Sequence, residues 1–289
     1  MAAMVRLVAS RLPNPVVSAS LRPLASASTQ YIPRCSQPSE LRMAAVGHYA
    51  AVTTVYETAW CYQNGGDFQR WLLNRVQHAL SGTCKTLVDI GCGTANFSGA
   101  LQRESGIQVV GVEPSAEMAA KASEYGVQVE VQDASSWAAG ASANGSNYDA
   151  IMLKEVRHHI DDPAKLYVNL AGALAPGGKI LLLTRPDKSD GYPFPAKAHE
   201  KWAAGVEMPL HTHVKELEAA GLSVQVKEER YKVHMDREEW GRLVRGRFWS
   251  HLSALSDDEI NDGLQELNLP DQVEFDDCMI FVIATHGED

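Results

Sequence analysis

Residues Leu87 to Asn96 read Leu-Val-Asp-Ile-Gly-Cys-Gly-Thr-Ala-Asn, and twenty-four residues after Asp89 the run Val-Val-Gly-Val closes on Glu113. No other part of the chain restricts its fold so strongly. The first segment is a buried strand that runs into a glycine turn and then a helix start. Gly91 and Gly93 have no Cβ, so the backbone can turn tightly and approach a ligand. The helix that follows offers unpaired N–H groups at its first turn. The second segment is a buried strand ending in an acid, which can accept hydrogen bonds from vicinal ribose hydroxyls. Together they predict a nucleoside cradle at the carboxyl ends of parallel strands.

The choice of nucleoside follows from spacing and charge. A dinucleotide site has the pattern G-x-G-x-x-G. Asn96 stands at the third glycine position, so the fit is poor. Asp89 lies two residues before the first glycine, where a carboxylate repels a pyrophosphate and suits an ammonium group. On these residues the chain resembles the class I S-adenosylmethionine-dependent methyltransferases, with Ala95 where that family commonly has a glycine. The resemblance runs through roughly residues 85–285. Val127 to Val131 resembles the third strand, followed by Gln132-Asp133-Ala134. Tyr148 to Leu153 resembles the fourth strand, His158 to Pro163 the loop after it, Leu174 to Ile180 the turn into the fifth, and His213 to Gly221 the helix before the sixth.

The resemblance implies an α/β fold: a Rossmann-like, seven-stranded, mostly parallel sheet with helices on both faces. It implies S-adenosyl-L-methionine as cofactor, held by Asp89, Gly91, Cys92, Gly93, Glu113, Asp133 and Ala134. Asp133 would meet the adenine amino group. A preceding helical segment lies over the cofactor in the family, which makes Tyr49, Tyr56 and Trp60 lid candidates and Tyr56 a cofactor contact. The Asp followed by Asp-Asn of magnesium-dependent relatives is absent, so no metal is expected.

The chain has 289 residues and a formal charge of −10. Residues 1–42 hold five arginines, no lysine and one acid, so the remainder is four charges more acidic than the whole. A body that acidic is a poor nucleic-acid ligand, and no apolar run is long enough to span a bilayer. The expected partner is a small molecule, with the protein a monomer or homodimer. The five cysteines show no C-x-x-C spacing, which suits a reducing compartment.

Residues 1–42 are rich in Ser, Ala, Pro and Arg, the composition of a transit peptide. Arg6 and Arg11 along a short helix favour mitochondria. A chloroplast, or the cytoplasm if translation starts at Met43, is the alternative. Residues 43–84 read as an N-terminal helical lid and residues 85–289 as the methyltransferase domain. Within it, two helical patterns at about 237–267 lie between late strands near Val224–Val233 and Val273–Ala284 and read as a helical cap. Ser256 and Glu259 have capping-box spacing there. The polar segment Asp187 to Pro195 reads as a binding loop or lid.

The acceptor should sit beyond strands four and five. His158 and His159 follow strand four, so either is a candidate general base; a structural role for the pair is the alternative. Arg157 and Arg185 end those strands and, with Trp240 of the cap, are the candidate substrate contacts. A guanidinium matches a carboxylate bidentately, which predicts an anionic small substrate unless the arginines are paired with Glu155 or Asp161. Competing readings are a protein or RNA methyltransferase, a catalytically silent methyltransferase-like assembly protein and, against Asp89 and Asn96, a nicotinamide-dependent oxidoreductase.

Overall fold

The alternation of buried residues along each strand divides the molecule into layers. In the computed structural model, which describes residues 61, 63, 65–80, 82–206 and 208–286, neighbouring residues of a strand bury opposite faces of one sheet. Leu87, Met152, Leu181, Leu183, Met279 and Phe281 face one side. Val88, Ile151, Leu153, Ile180, Leu182 and Val282 face the other. Strands buried on both faces read as continuous apolar runs, and the motif strands at Leu87 and Ile151 do so.

The sheet has seven strands in the order β3-β2-β1-β4-β5-β7-β6. They are β1 (Thr86–Ile90), β2 (Gln108–Val112), β3 (Gln128–Glu130), β4 (Tyr148–Lys154), β5 (Leu174–Thr184), β6 (Leu222–Asp236) and β7 (Gln272–His286). β1 to β5 are mutually parallel, and β7 runs antiparallel to both β5 and β6. The expected mostly parallel, seven-stranded sheet is the observed one.

One face is covered by α1 (Asp67–Leu80) and α2 (Asn96–Ser105). α1 buries Phe68, Leu72, Leu73 and Val76 in this layer. The described part of the expected lid is thus a packing helix of the sheet. Tyr49, Tyr56 and Trp60 lie outside the described residues, as does the 1–42 leader.

The opposite face carries α4 (Ala134–Ala143), α5 (Pro163–Gly172) and α7 (Leu210–Ala219), through Trp137, Leu166, Tyr167, Leu170 and Leu217. α5 starts where the sequence stops it starting earlier: Asp162 caps the Lys165 N–H at 3.1 Å and Pro163 takes the first turn, where its missing donor is not needed. The short α3 (Ala116–Ala122) follows β2 and is capped by Ser115.

β6 and β7 are longer than their periodicity suggested, fifteen residues each. They project beyond the parallel strands and carry α8 (Arg237–Arg245) and α9 (Asp257–Glu266) between them. These helices, with α6 (Ala196–Ala204), enclose a third apolar cluster built on Phe194, Trp240, Val244, Leu252, Ile260 and Phe275. The 187–195 segment does not stand open as a lid. Tyr192 and Phe194 are buried in this cluster, because two aromatic rings outweigh the polar residues around them.

Candidate active site

The glycine turn after β1 has the geometry its sequence predicts. Gly91, Gly93 and Ala95 all adopt left-handed φ, of 71°, 58° and 56°. A Cβ on Gly91 would lie 2.4 Å from Cγ1 of Val156, so only glycine lets the two loops meet. Ala95 takes the left-handed conformation without glycine's freedom and is wholly buried ahead of α2. The Cys92 side chain packs against Gly111 of β2.

Two carboxylates border this turn. Glu113 leaves the end of β2 and accepts from Gly93 N at 3.0 Å and Ser115 N at 2.9 Å. Each of its oxygens therefore keeps further acceptor capacity. Burial raises its pKa against the pull of those two N–H groups. Asp89 is 2% exposed. Its Oδ2 accepts from the Ser98 hydroxyl, whereas its Oδ1 is buried with no hydrogen-bond partner among the described residues. Burial pushes the Asp89 pKa up to about 6. A buried acceptor without a donor is costly, and a ligand ammonium group is the kind of donor it lacks. Asp133 caps α4, accepting from Ser135 N and Ser136 N at 3.0 Å each, and Ala134 opens that helix half-buried. The turn thus assembles Asp89, Gly91, Cys92, Gly93 and Glu113, with Asp133 and Ala134 following β3.

The carboxyl end of β4 and β5 is arranged differently. Arg157 and Arg185 are both buried, and both are engaged by acids. Arg157 ion-pairs with Asp187 at 2.6 Å. Arg185 holds Asp277 through two nitrogens, at 3.0 and 2.8 Å, donates to the Tyr192 hydroxyl at 2.7 Å and pairs with Glu155. The expected grip on a substrate carboxylate is corrected by these partners: the guanidinium forks are spent on the protein's own acids. Trp240 is 0% exposed. Its indole N–H donates to Pro193 O at 3.0 Å, so it is a core residue of the cap and not a substrate wall.

His158 and His159 form a single 3-10 turn after β4, with ring centroids 4.0 Å apart. His158 is exposed, so water screens the downward pull that surrounding protein and then the Arg157 charge exert on its pKa. A different histidine is buried. His213 Nδ1 lies 2.7 Å from the Tyr167 hydroxyl, and burial lowers its pKa to about 4, which keeps it neutral.

Sequence reasoning gave Glu155 no role beyond a possible lock on the arginines. It follows Lys154 at the end of β4, has φ of 59°, and has one buried carboxylate oxygen without a partner. The available signal was an adjacent lysine and acid closing the apolar run from Ala150 to Leu153.

A mostly parallel sheet of this order, with a glycine turn and paired acids at its carboxyl edge, has the arrangement of a nucleoside-binding α/β fold. The profile of the Methyltransferase domain family matches residues 63–268. The ubiquinone biosynthesis O-methyltransferase of Aeromonas salmonicida is 29% identical over 154 residues, spanning 49% of this chain and 64% of that protein. The protein of the same name from Serratia proteamaculans is 33% identical over 105 residues, spanning 35% and 42%. The chain thus matches less than two thirds of the length of these relatives. In fold it is similar to Haemonchus contortus phosphoethanolamine N-methyltransferase 2, at 18% identity and a TM-score of 0.51, covering 86% of this chain and 58% of that one. The chain belongs to the class I S-adenosylmethionine-dependent methyltransferases.

Proposed function

We propose that the protein methylates an oxygen of a small molecule. S-adenosylmethionine supplies an electrophilic methyl carried on a sulfonium. Around it the chain's own residues bind and orient. Asp89 would receive the α-ammonium, Glu113 the ribose hydroxyls and Asp133 the adenine edge, while the backbone at Gly91 and Gly93 makes room. The observation that carries this reading is the buried, partnerless Oδ1 of Asp89 beside a glycine turn. The cap of α8 and α9 favours a small acceptor over a polymer, as does the net charge of −10. The O-methyltransferase names of the relatives favour oxygen. A carboxylate on the substrate is no part of this reading, since Arg157 and Arg185 are already paired.

The test is methyl transfer from labelled S-adenosylmethionine into a fractionated metabolite extract. Label in a low-mass, base-stable product is the expected result. Label confined to protein or RNA, or none at all, would sink the reading. We also propose import into mitochondria, supported by the composition of residues 1–42. A fluorescent fusion of the full chain that stays in the cytosol would exclude it.

A further inference from the structure

The cofactor cradle leaves unused a half-buried acid, Glu155, with one buried oxygen. Glu155 directly follows β4, donates its backbone N–H to Leu183 O at 2.8 Å, and holds a left-handed backbone. A glutamate gains nothing from that conformation by itself; it persists where the surroundings impose it, and such outliers gather at functional sites. Here the imposing element is visible. Glu155 Oε2 is paired with Arg185, which is fixed in turn by Asp277 and the Tyr192 hydroxyl. One carboxylate oxygen is thereby anchored. The other, Oε1, is buried and receives no hydrogen bond from the described residues.

The register places this group at the acceptor side. Lys154 pairs with Leu183, and Thr184 with Ile280, so Glu155 leaves the sheet level with Thr184, one residue short of Arg185. Glu155, Arg185 and Met279, with Cys61, Phe68, Leu72 and Lys154, line a cavity of about 10 Å³. That is room for about one water-sized group, the size of a hydroxyl.

We propose that Glu155 Oε1 receives the reacting O–H of the acceptor, and that the acceptor is a neutral hydroxyl. This rests on the methyl-transfer reading above and names its nucleophile seat. Charge selects the chemistry. An ammonium would enter beside Lys154 and Arg185, and a carboxylate would face Glu155. A neutral hydroxyl avoids both repulsions and supplies the donor that Oε1 lacks, while Phe68, Leu72 and Met279 offer apolar contact to the carbon that bears it. As the oxygen forms its bond to the methyl carbon, the C–S bond breaks with its electron pair remaining on sulfur. The O–H bond breaks and the proton passes to Oε1, from which it is lost to water. Glu155 is in this sense a catalytic residue, and Arg185 and Asp277 are positioning residues that act through it.

The test titrates catechol into the full-length protein and into Glu155→Ala and Glu155→Gln, with S-adenosylhomocysteine affinity and thermal melting measured alongside. Catechol should bind the native protein at least tenfold tighter than Glu155→Ala. Glu155→Gln, which keeps an acceptor oxygen, should bind it within about threefold of native. Methylation of catechol by Glu155→Gln should fall at least a hundredfold at pH 7 and recover as pH rises and the hydroxyl ionises unaided. S-adenosylhomocysteine affinity should be alike in all three. Equal catechol affinity in Glu155→Ala, undiminished turnover in Glu155→Gln, or tighter binding of benzylamine than of catechol would overturn the proposal. The two readings fail separately. Loss of S-adenosylhomocysteine binding in the native protein overturns methyl transfer, whereas catechol that does not bind a protein holding S-adenosylhomocysteine overturns the hydroxyl seat.

Discussion

The carboxyl edge of the sheet handles buried charge in two opposite ways. At β1 and β2, Asp89 and Glu113 are supported by neutral donors: the Ser98 hydroxyl and the N–H groups of Gly93 and Ser115. Lys154 meets part of the Asp89 charge, and the rest is left for a ligand. At β4, β5 and β7, Arg185 is met within the protein by Glu155 and Asp277, and Arg157 by Asp187. The first arrangement lowers the stability of the empty protein and stores affinity for a cation. The second pairs its two arginines with three acids and stores rigidity, leaving Glu155 Oε1 for chemistry. An acid in an open cradle and an arginine in a closed network therefore carry different information, although both sit at the ends of buried strands.

The sharpest way to break this contrast is Arg185→Leu. It would leave Asp277, which is 0% exposed, without a counter-charge. Removing one partner of a buried pair costs about 3–5 kcal/mol. Urea unfolding should show a loss of this size, with S-adenosylhomocysteine binding kept in the folded fraction. A loss below about 1 kcal/mol would mean that the network is not the rigid element argued here.

Glu113→Ala tests the other side. It removes the acceptor for the ribose and also the acceptor that steadies Gly93 N. Cofactor affinity should fall by about 2–3 kcal/mol, the scale of hydrogen bonds to a charged group. Calorimetry with S-adenosylhomocysteine reads it directly, and an unchanged Kd would remove Glu113 from the cradle. Unfolding free energy should fall by less than for Arg185→Leu, because only the hydrogen bonds from Gly93 N and Ser115 N are lost and no buried charge is left unpaired.

Acidity sharpens the comparison further. Burial raises Asp89 to about pH 6. An ammonium ligand requires the ionised form, so affinity should be full above about pH 6 and fall about tenfold per unit below it. The same shift works the other way on the empty protein. Asp89 protonates in the folded state first, so its contribution to stability grows as pH falls from about 6 towards the ordinary aspartate value near 3.9. Asp89→Asn should flatten both profiles. An affinity that stays constant from pH 7 to pH 5 would show that Asp89 does not face the cation.

The two sides also differed in how legible they were. Everything in the glycine turn lies within ten consecutive residues, and Glu113 falls at a fixed distance set by one helix and one strand. Closeness in the sequence is therefore enough to bring them to one turn of the fold. Arg185 meets Glu155 thirty residues earlier and Asp277 ninety-two residues later. No local pattern couples such positions, so the sequence suggested arginines open to a ligand where folding had already paired them. Trp240 misled for a related reason. Its place in a helical cap was readable, but which face of α8 turned inward depended on Pro193, Phe194 and Phe275.

The cap also supplies the smallest effect, and a control for both sides. Ser256 accepts from Glu259 N at 3.2 Å while its own N–H donates to Glu259 Oε2 at 2.9 Å, the reciprocal pair its spacing predicted. Both bonds are at the surface, far in character from either buried arrangement. Ser256→Ala removes the first and leaves the second without its return partner, so α9 should lose about 1 kcal/mol of stability. α9 packs Ile260 into the cap cluster alone. The loss should therefore appear in unfolding, with no change in S-adenosylhomocysteine affinity or its pH profile. If Ser256→Ala instead weakens cofactor binding, the cap is coupled to the glycine turn. The division of this edge into a ligand-facing half and a self-paired half would then need a third, communicating element.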